Sequence, residues 1–491
     1  MTVTLKLLDK LNSNNNNFFI FVSNLSQLKT LILPFKINNL INNAEFVRKL
    51  SNNKSVEINN FLEKPNFLIN FKIFLIEPKI SDSVKFLKLG AKILSKNKKN
   101  KLEEVTFVFS NFLISKHKKA ITDIIFGYQL KSYVFNKYLS LKKNNLNAIL
   151  LNLYKLKKIK EINYNNNLLF SINFSKNLIA EPANIINPIS FSKKCLELKK
   201  YGLGIKVINL NQIKKIGMDA LLAVSQGSIN EPRVVVLEWN IKKNKKPIVL
   251  AGKGVTFDSG GISLKPSSGM EEMIIDMSGS AVVVGSMINA ALNKSKKSII
   301  GIVGLVENMP DGKAQRPGDI VKSLSGKSIE VLNTDAEGRM VLADILTYVQ
   351  SKYSPSLIID FATLTGAILI ALGVHHAGLF SNNISLSNKL IKAGKNSGEK
   401  LWQMPLGDEY NSEIDSKRAD IKNIGSSRYG GSTHAAHFIE RFINKNTNWA
   451  HLDIAGVSWT SNPEQNSFSS LHSHGPTGFG IRLIDEFLKG K

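Results

Sequence analysis

The sequence predicts an α/β protein: a smaller N-terminal α/β domain followed by a larger C-terminal α/β domain with a mostly parallel central sheet. Three observations carry this. The chain has 491 residues, too many for one ordinary core. Short β-like apolar runs alternate with helical patterns along it. The composition changes near residue 160: lysine, asparagine and phenylalanine dominate before it, and glycine rises after residue 180. The boundaries follow as 1–160 for the first domain, a linking helix over 161–180, and 181–491 for the second.

In the first part, Phe18 to Val22, Val105 to Phe109 and Ala148 to Leu153 read as strands, and Ser83 to Leu94 and Ala120 to Leu139 as helices. None of them carries a chemical motif. A helix over Asn165 to Leu178 follows and stops before Glu181-Pro182, because the residue before proline is pushed out of the helical region. In the second part, strand-like runs recur at Val234 to Glu238, Pro247 to Leu250, Ile299 to Val306, Leu357 to Ile359 and Ala450 to Ile454. Polar residues cluster just past their ends. Lys253 and Asp258 follow the run ending at Leu250, and Thr363, Thr365 and Gly366 follow the run ending near Ile359. Open α/β sheets bind ligands at the carboxyl ends of their strands, so these clusters are expected to form one site.

Composition bounds the function. The N-terminus lacks a basic region followed by an apolar core, and no window reaches the roughly 18 apolar residues of a membrane span. The longest candidate, Phe67 to Ile76, is interrupted by Asn70 and Lys72. The single cysteine, Cys195, excludes an intrachain disulfide and fits a reducing, cytoplasmic setting. The net charge of +27 resembles a nucleic-acid signature. Yet only eight of the 65 basic residues are arginine, and asparagine and isoleucine are also in excess, as an AT-rich genome would produce. Weak binding of polyanions or DNA at low salt is the expected residue of that charge.

The chemistry concentrates in two places. Asn333-Thr334-Asp335-Ala336-Glu337-Gly338-Arg339 sets two carboxylates two residues apart and a guanidinium two further on. On an extended segment Asp335 and Glu337 would point the same way. Arg339 would open a helix over Met340 to Val349, and the bland alternative is a charged loop capping it. Upstream, the glycine-rich stretch from Gly252 to Gly285 holds Lys253, Asp258, Lys265 and Asp276. Asp258 sits in a turn-forming Asp-Ser-Gly-Gly run. Asp276 lies on an expected helix from Glu271 to Leu292, where Glu271 and Glu272 read as solvated charges. Four carboxylates suit a pair of divalent cations, and the lysines and arginine suit a polarised carbonyl or an anion. Lys253 could ligate only as the neutral amine.

Other motifs fail. Phe257 breaks a GxGxxG begun by Gly252, and Val321 stands where a P-loop ending at Ser328 needs its first glycine. No GxSxG surrounds Ser259 or Ser263. His434 and His437 are three apart but belong to no HExxH.

Residues 247–285, 301–350, 358–367 and 418–456 resemble the leucyl aminopeptidase family, also called the cytosol aminopeptidases. The Asn333-to-Arg339 run is that family's signature. Glu307 to Asp319, Trp449 to Gly456 and Gly475-Pro476-Thr477-Gly478 also match, whereas the N-terminal part is only loosely similar. The resemblance implies a metal-dependent aminopeptidase in which residues 181–491 form the catalytic domain. Lys253, Asp258, Asp276, Asp335 and Glu337 would bind two divalent ions, Mn²⁺ or Zn²⁺, with Asp258 and Glu337 bridging. Lys265 would polarise the scissile carbonyl. Arg339 would hold a bicarbonate acting as general base. Met273, Thr363, Leu364, Gly366 and Ala455 would line the pocket for the N-terminal side chain of peptide substrates. The family forms homo-hexamers, and some bacterial members have a second, DNA-binding role. That role and a phosphatase-type dimetal hydrolase are the competing readings.

Overall fold

The computed structural model describes residues 3–11, 17–33, 37, 42–64, 67–77, 83–99, 102–140, 149–157, 159–427, 429–463 and 468–490. The chain forms two compact units, 1–169 with 462–474, and 170–461 with 475–491.

The first unit is built on a six-stranded sheet. Its order is Val3–Leu8, Ile149–Tyr154, Glu104–Phe109, Asn17–Val22, Phe67–Leu75 and Ser55–Lys64. Every pairing is parallel except the last, which is antiparallel. Phenylalanine-rich strands suit this position because aromatic residues fill a pleated, buried surface. Phe21, Phe74 and Phe109 stack within it, with Phe21 ring centroids 5.1 Å from Phe74 and 4.5 Å from Phe109. The three expected strands are present, although Ala148, named as the start of one, lies outside the described residues. The expected helix over 120–139 is instead Lys118–Lys131. Its end is fixed by Ser132, whose N–H and hydroxyl both donate to the Gln129 carbonyl at 3.0 and 2.6 Å. That competing local bond is invisible to periodicity.

The second unit is built on an eight-stranded sheet. Its order is Leu401–Gln403, Ala377–Ser381, Asn448–Asp453, Leu357–Ala362, Ile248–Asp258, Ile299–Asn308, Arg233–Trp239 and Gly204–Ile208. The four central strands, from Asn448–Asp453 to Ile299–Asn308, run parallel, and antiparallel neighbours flank them. The chain leaves Ile248–Asp258 to pair first on one side with Ile299–Asn308 and later on the other with Leu357–Ala362. Such a reversal opens a crevice at the strands' carboxyl ends.

The strand starting at Ile248 continues to Asp258, eight residues past its expected end at Leu250. Lys253 therefore lies inside the strand. Glycines at 252 and 254 hide this, since glycine weakens a strand pattern and here marks a close backbone approach. A Cβ on Gly252 would come within 2.7 Å of the Gly279 carbonyl oxygen and Ser280 Cα. Asp276 lies on a 3₁₀ helix, Met270–Met277, and only Ser278–Leu292 is α-helical. The combined segment Met270–Leu292 has the length and apolarity of a membrane span, but 83% of its apolar window is buried inside the fold. Glu271 and Glu272 are exposed, as expected.

Candidate active site

Four chain segments converge at the carboxyl ends of the central strands. Ile248–Asp258 supplies Lys253 and Asp258, and the loop after it supplies Lys265. Met270–Met277 supplies Asp276. The turn before the helix Gly338–Tyr353 supplies Asp335 and Glu337, and that helix itself supplies Arg339. The Asp335–Glu337 segment is a turn and not an extended run, with Glu337 itself in helical conformation at the helix cap. The two carboxylates still converge, because the turn wraps around the end of the Ile248–Asp258 strand. Oxygens of Asp258, Asp335 and Glu337 all lie within 4.8 Å of one another.

Lys253 is the hub. Its Nζ donates to Asp276 Oδ1 at 2.7 Å and the Thr363 carbonyl at 2.9 Å, and pairs with Glu337 Oε1 at 2.9 Å. Its side chain is 3% exposed, so the charge survives only with partners. Burial alone would lower its pKa. The carboxylates of Asp276, Glu337 and Asp258 overturn that and hold it above the ordinary lysine range. Gly338 is a steric necessity, since a Cβ there would run into Lys253 Cε and Cδ. Lys265 pairs with Asp258 Oδ2 at 3.0 Å and Asp335 Oδ1 at 2.5 Å. Burial opposes its charge too, and Asp258 and Asp335 restore it and raise its pKa.

The carboxylates outnumber these cations, and their pKa values respond. Burial first, then the charge of Asp258, pushes Asp335 up to about 6 and Glu337 up to about 7. Burial raises Asp276 while Lys253 opposes the shift. Asp335 Oδ1 and Glu337 Oε1 meet the Lys265 and Lys253 ammonium groups at 2.5 and 2.9 Å, while the buried Asp276 Oδ2 has no hydrogen-bond partner among the described residues. A buried carboxylate oxygen left unmet is costly and suits a further cation. The donor set, four carboxylates with a lysine amine among them, suits two divalent ions. Arg339 has the complementary gap. Its Nη1 donates to the Asn423 carbonyl at 2.7 Å, while its buried Nε has no hydrogen-bond partner among the described residues. Burial lowers its pKa to about 10, which leaves it charged at neutral pH.

Asn308 and Asn423, to which the sequence alone assigns no role, build the site together with Thr334 and the Gly260-Gly261 turn. Asn308 donates from Nδ2 to Asp258 Oδ1 at 2.8 Å and to the Thr334 carbonyl at 3.1 Å. A register shift between Val306 and Asn308 sets it opposite Asp258, as bulges re-aim side chains near sites. Thr334 staples the two motifs: its hydroxyl donates to the Gly260 carbonyl at 2.6 Å and accepts from the Ser263 N–H at 2.8 Å. Gly260 and Gly261 have φ of +89° and +70°, which allows the chain to turn back toward Lys265. Asn423 clamps the signature turn. Its Oδ1 accepts from the Leu332 and Asn333 N–H groups at 2.8 and 3.3 Å, and its Nδ2 donates to the Asn333 and Ala336 carbonyls at 2.6 and 3.4 Å.

Of the expected pocket residues, Thr363, Leu364 and Gly366 follow the Leu357–Ala362 strand, and Ala455 follows the adjacent Asn448–Asp453 strand. Asp453 ties them together. Its Oδ1 accepts from the Leu364 and Ala455 N–H groups at 3.1 and 3.2 Å, and its Oδ2 from Thr365 Oγ1 at 2.7 Å. Thr363 Oγ1 also donates to Asp276 Oδ1 at 2.8 Å, so pocket and carboxylate cluster share one network. Met273 is half-buried on the same short helix as Asp276. His434 and His437 are structural: both are buried, one 3.4 Å from Glu413 and the other 2.9 Å from Glu440.

The profile of the cytosol aminopeptidase family's catalytic domain matches residues 173–484. Among curated proteins, the chain is 45% identical over 413 residues to a probable cytosol aminopeptidase of Brucella anthropi, covering 82% of this chain and 81% of that one. It is 46% identical over 380 residues to one of Sinorhizobium fredii, covering 76% and 75%. It is 52% identical over 316 residues to one of Rhizobium meliloti, covering 64% and 62%.

Proposed function

The chain belongs to the cytosol aminopeptidase family and is a leucyl aminopeptidase-type hydrolase, and from that premise we propose how its residues divide the work. Lys253, Asp258, Asp276, Asp335 and Glu337 would hold two divalent cations. The observation that carries this is the convergence of Asp258, Asp335 and Glu337 oxygens within 4.8 Å, beside the buried Asp276 Oδ2, which has no hydrogen-bond partner among the described residues. When bound, such a pair lowers the pKa of water and fixes a free α-amine, which is what distinguishes a chain end from an internal bond.

The chain's own residues do the rest. Lys265, whose ammonium lies among carboxylates at the rim, donates to the carbonyl oxygen as negative charge develops there. Arg339 holds a bicarbonate by its guanidinium, which supplies a base where no histidine stands ready. The unpartnered Nε supports that reading. Thr363, Leu364, Gly366, Ala455 and Met273 receive the N-terminal side chain, leucine-like ones best. One methylene in such a pocket discriminates by about 1–3 kcal/mol, so the preference is graded. The same reading takes residues 181–491 as the catalytic domain, the protein as cytoplasmic, and its assembly as a homo-hexamer.

Hydrolysis of leucine p-nitroanilide tests the core of this. Chelator followed by dialysis should abolish it, and Mn²⁺ or Zn²⁺ should restore it. Full activity in metal-free protein would overturn the two-cation reading.

A further inference from the structure

The N-terminal unit holds a hollow of about 600 Å³. That volume is typical of small-molecule sites. Its floor is apolar: Phe19 and Phe74 from neighbouring strands, and Phe86, Leu89 and Ile93 from the helix Ser83–Lys99. Its rim is cationic. Lys85, Lys88, Lys92 and Lys96 follow one another at three- and four-residue steps, which places them along one helical face. Lys54 and Lys72 close the rim from the strand side.

The charge is incompletely compensated. Glu77 pairs with Lys54 at 3.4 Å, and Glu57 pairs with Lys72 at 3.5 Å and with Lys96. Among the described residues, no carboxylate is paired with Lys85, Lys88 or Lys92. Burial and the neighbouring charge of Lys92 hold the Lys72 pKa below the ordinary lysine range. Lys72 and Lys92 therefore feel each other across the same space, and an anion between them would relieve both. A general lysine excess would scatter cations over the surface. It does not explain why they ring an apolar floor.

We propose that this hollow binds a fatty-acid-like anion, with its acyl chain on the phenylalanine floor and its carboxylate between Lys72, Lys88 and Lys92. An acyl chain fits the lining better than a nucleotide does. Among the described residues the neutral polar side chains lining the hollow are Asn53 and Ser55, few for pairing a base and a sugar. An acyl chain needs none. Lysine also suits a carboxylate head as a point charge, without demanding a fixed fork geometry.

Calorimetric titration of the full-length protein with dodecanoate tests this. Saturable binding of one molecule per chain is expected. Affinity should rise roughly fourfold per methylene from octanoate to dodecanoate, the value that burial of each CH₂ implies. Dodecanol should bind at least tenfold more weakly, and the double charge reversal Lys88→Glu/Lys92→Glu should cost dodecanoate at least tenfold. Leu89→Trp, which fills the floor, should block the chain while leaving circular dichroism and leucine-anilide hydrolysis unchanged. The proposal fails if dodecanoate shows no saturable binding at millimolar concentration. It also fails if dodecanol binds as tightly, or if the charge reversals are silent. Displacement of dodecanoate by a short single-stranded oligonucleotide that binds more tightly would reassign the rim to nucleic acid.

Discussion

Asn423 offers the sharpest test of how the signature turn is held. It is fully buried, and it lies 84 residues from the arginine whose guanidinium its carbonyl accepts. Asn423→Ala removes four side-chain hydrogen bonds, two short ones at 2.6 and 2.8 Å and two long ones at 3.3 and 3.4 Å. Each buried group left unpaired costs about 1–3 kcal/mol. Leu332 is 38% exposed, so water can replace part of the loss there, whereas Ala336 is buried. The expected destabilisation is about 2–4 kcal/mol. Asn423→Asp separates polarity from packing. It keeps the shape and the acceptor, but it turns a carboxylate oxygen toward the Asn333 and Ala336 carbonyls. It should therefore destabilise more than alanine does, since the oxygen facing two carbonyls adds repulsion and buries a charge, which the Leu332 and Asn333 N–H groups and the nearby Arg339 offset only in part. Urea unfolding gives the stability, and leucine-anilide kinetics with metal analysis gives the effect on the turn. We expect kcat to fall at least tenfold in both variants as Asp335, Glu337 and Arg339 lose their common anchor. An aspartate variant as stable and active as wild type would refute the clamp.

Asp335→Asn and Glu337→Gln should lose bound metal and activity while keeping a cooperative unfolding transition, because both side chains point into the site; a protein that melts outright would indicate a structural role instead. Lys265→Ala should lower kcat by about 10²–10³, the usual worth of one donor to a developing oxyanion, with little change in metal content; an unchanged kcat would remove Lys265 from the chemistry. Arg339→Ala should erase stimulation by added bicarbonate while both metals stay bound, and Arg339→Lys should restore it only partly, since lysine lacks the bidentate fork. Equal stimulation in wild type and mutant would reject the anion role. Gly279→Ala places a methyl group against the Phe361 carbonyl oxygen, so it should destabilise by at least about 1–3 kcal/mol in thermal melts; a neutral result would mean the helix can back away from the sheet.

The sequence by itself determined the class of fold, the family and the residues proposed to carry the chemistry. Alternating apolar runs report strands and helices because side-chain period follows backbone geometry, and a dense local motif such as Asn333 to Arg339 carries its residue types openly. Short-range readings failed where a distant partner or a local bond outvoted the pattern. In sequence Lys253 follows the apolar run ending at Leu250, because the glycines on either side of it interrupt the strand pattern. Those glycines exist to admit Gly279 and Ser280, 27 and 26 residues from Gly252 and Gly254 respectively. The sequence pattern runs on past the helix end at Lys131 because a serine hydroxyl closes the helix there. Only the tertiary structure could name Asn308, Asn423 and Asp453. Each orients a reacting segment from 50 to about 90 residues away, through bonds that leave no periodic trace in the chain. The carboxylate cluster shows the same division. Its members are legible as residue types, but their mutual distance, and so the burial and repulsion that raise Asp335 and Glu337, arises only when the strand ends and the signature turn are brought together.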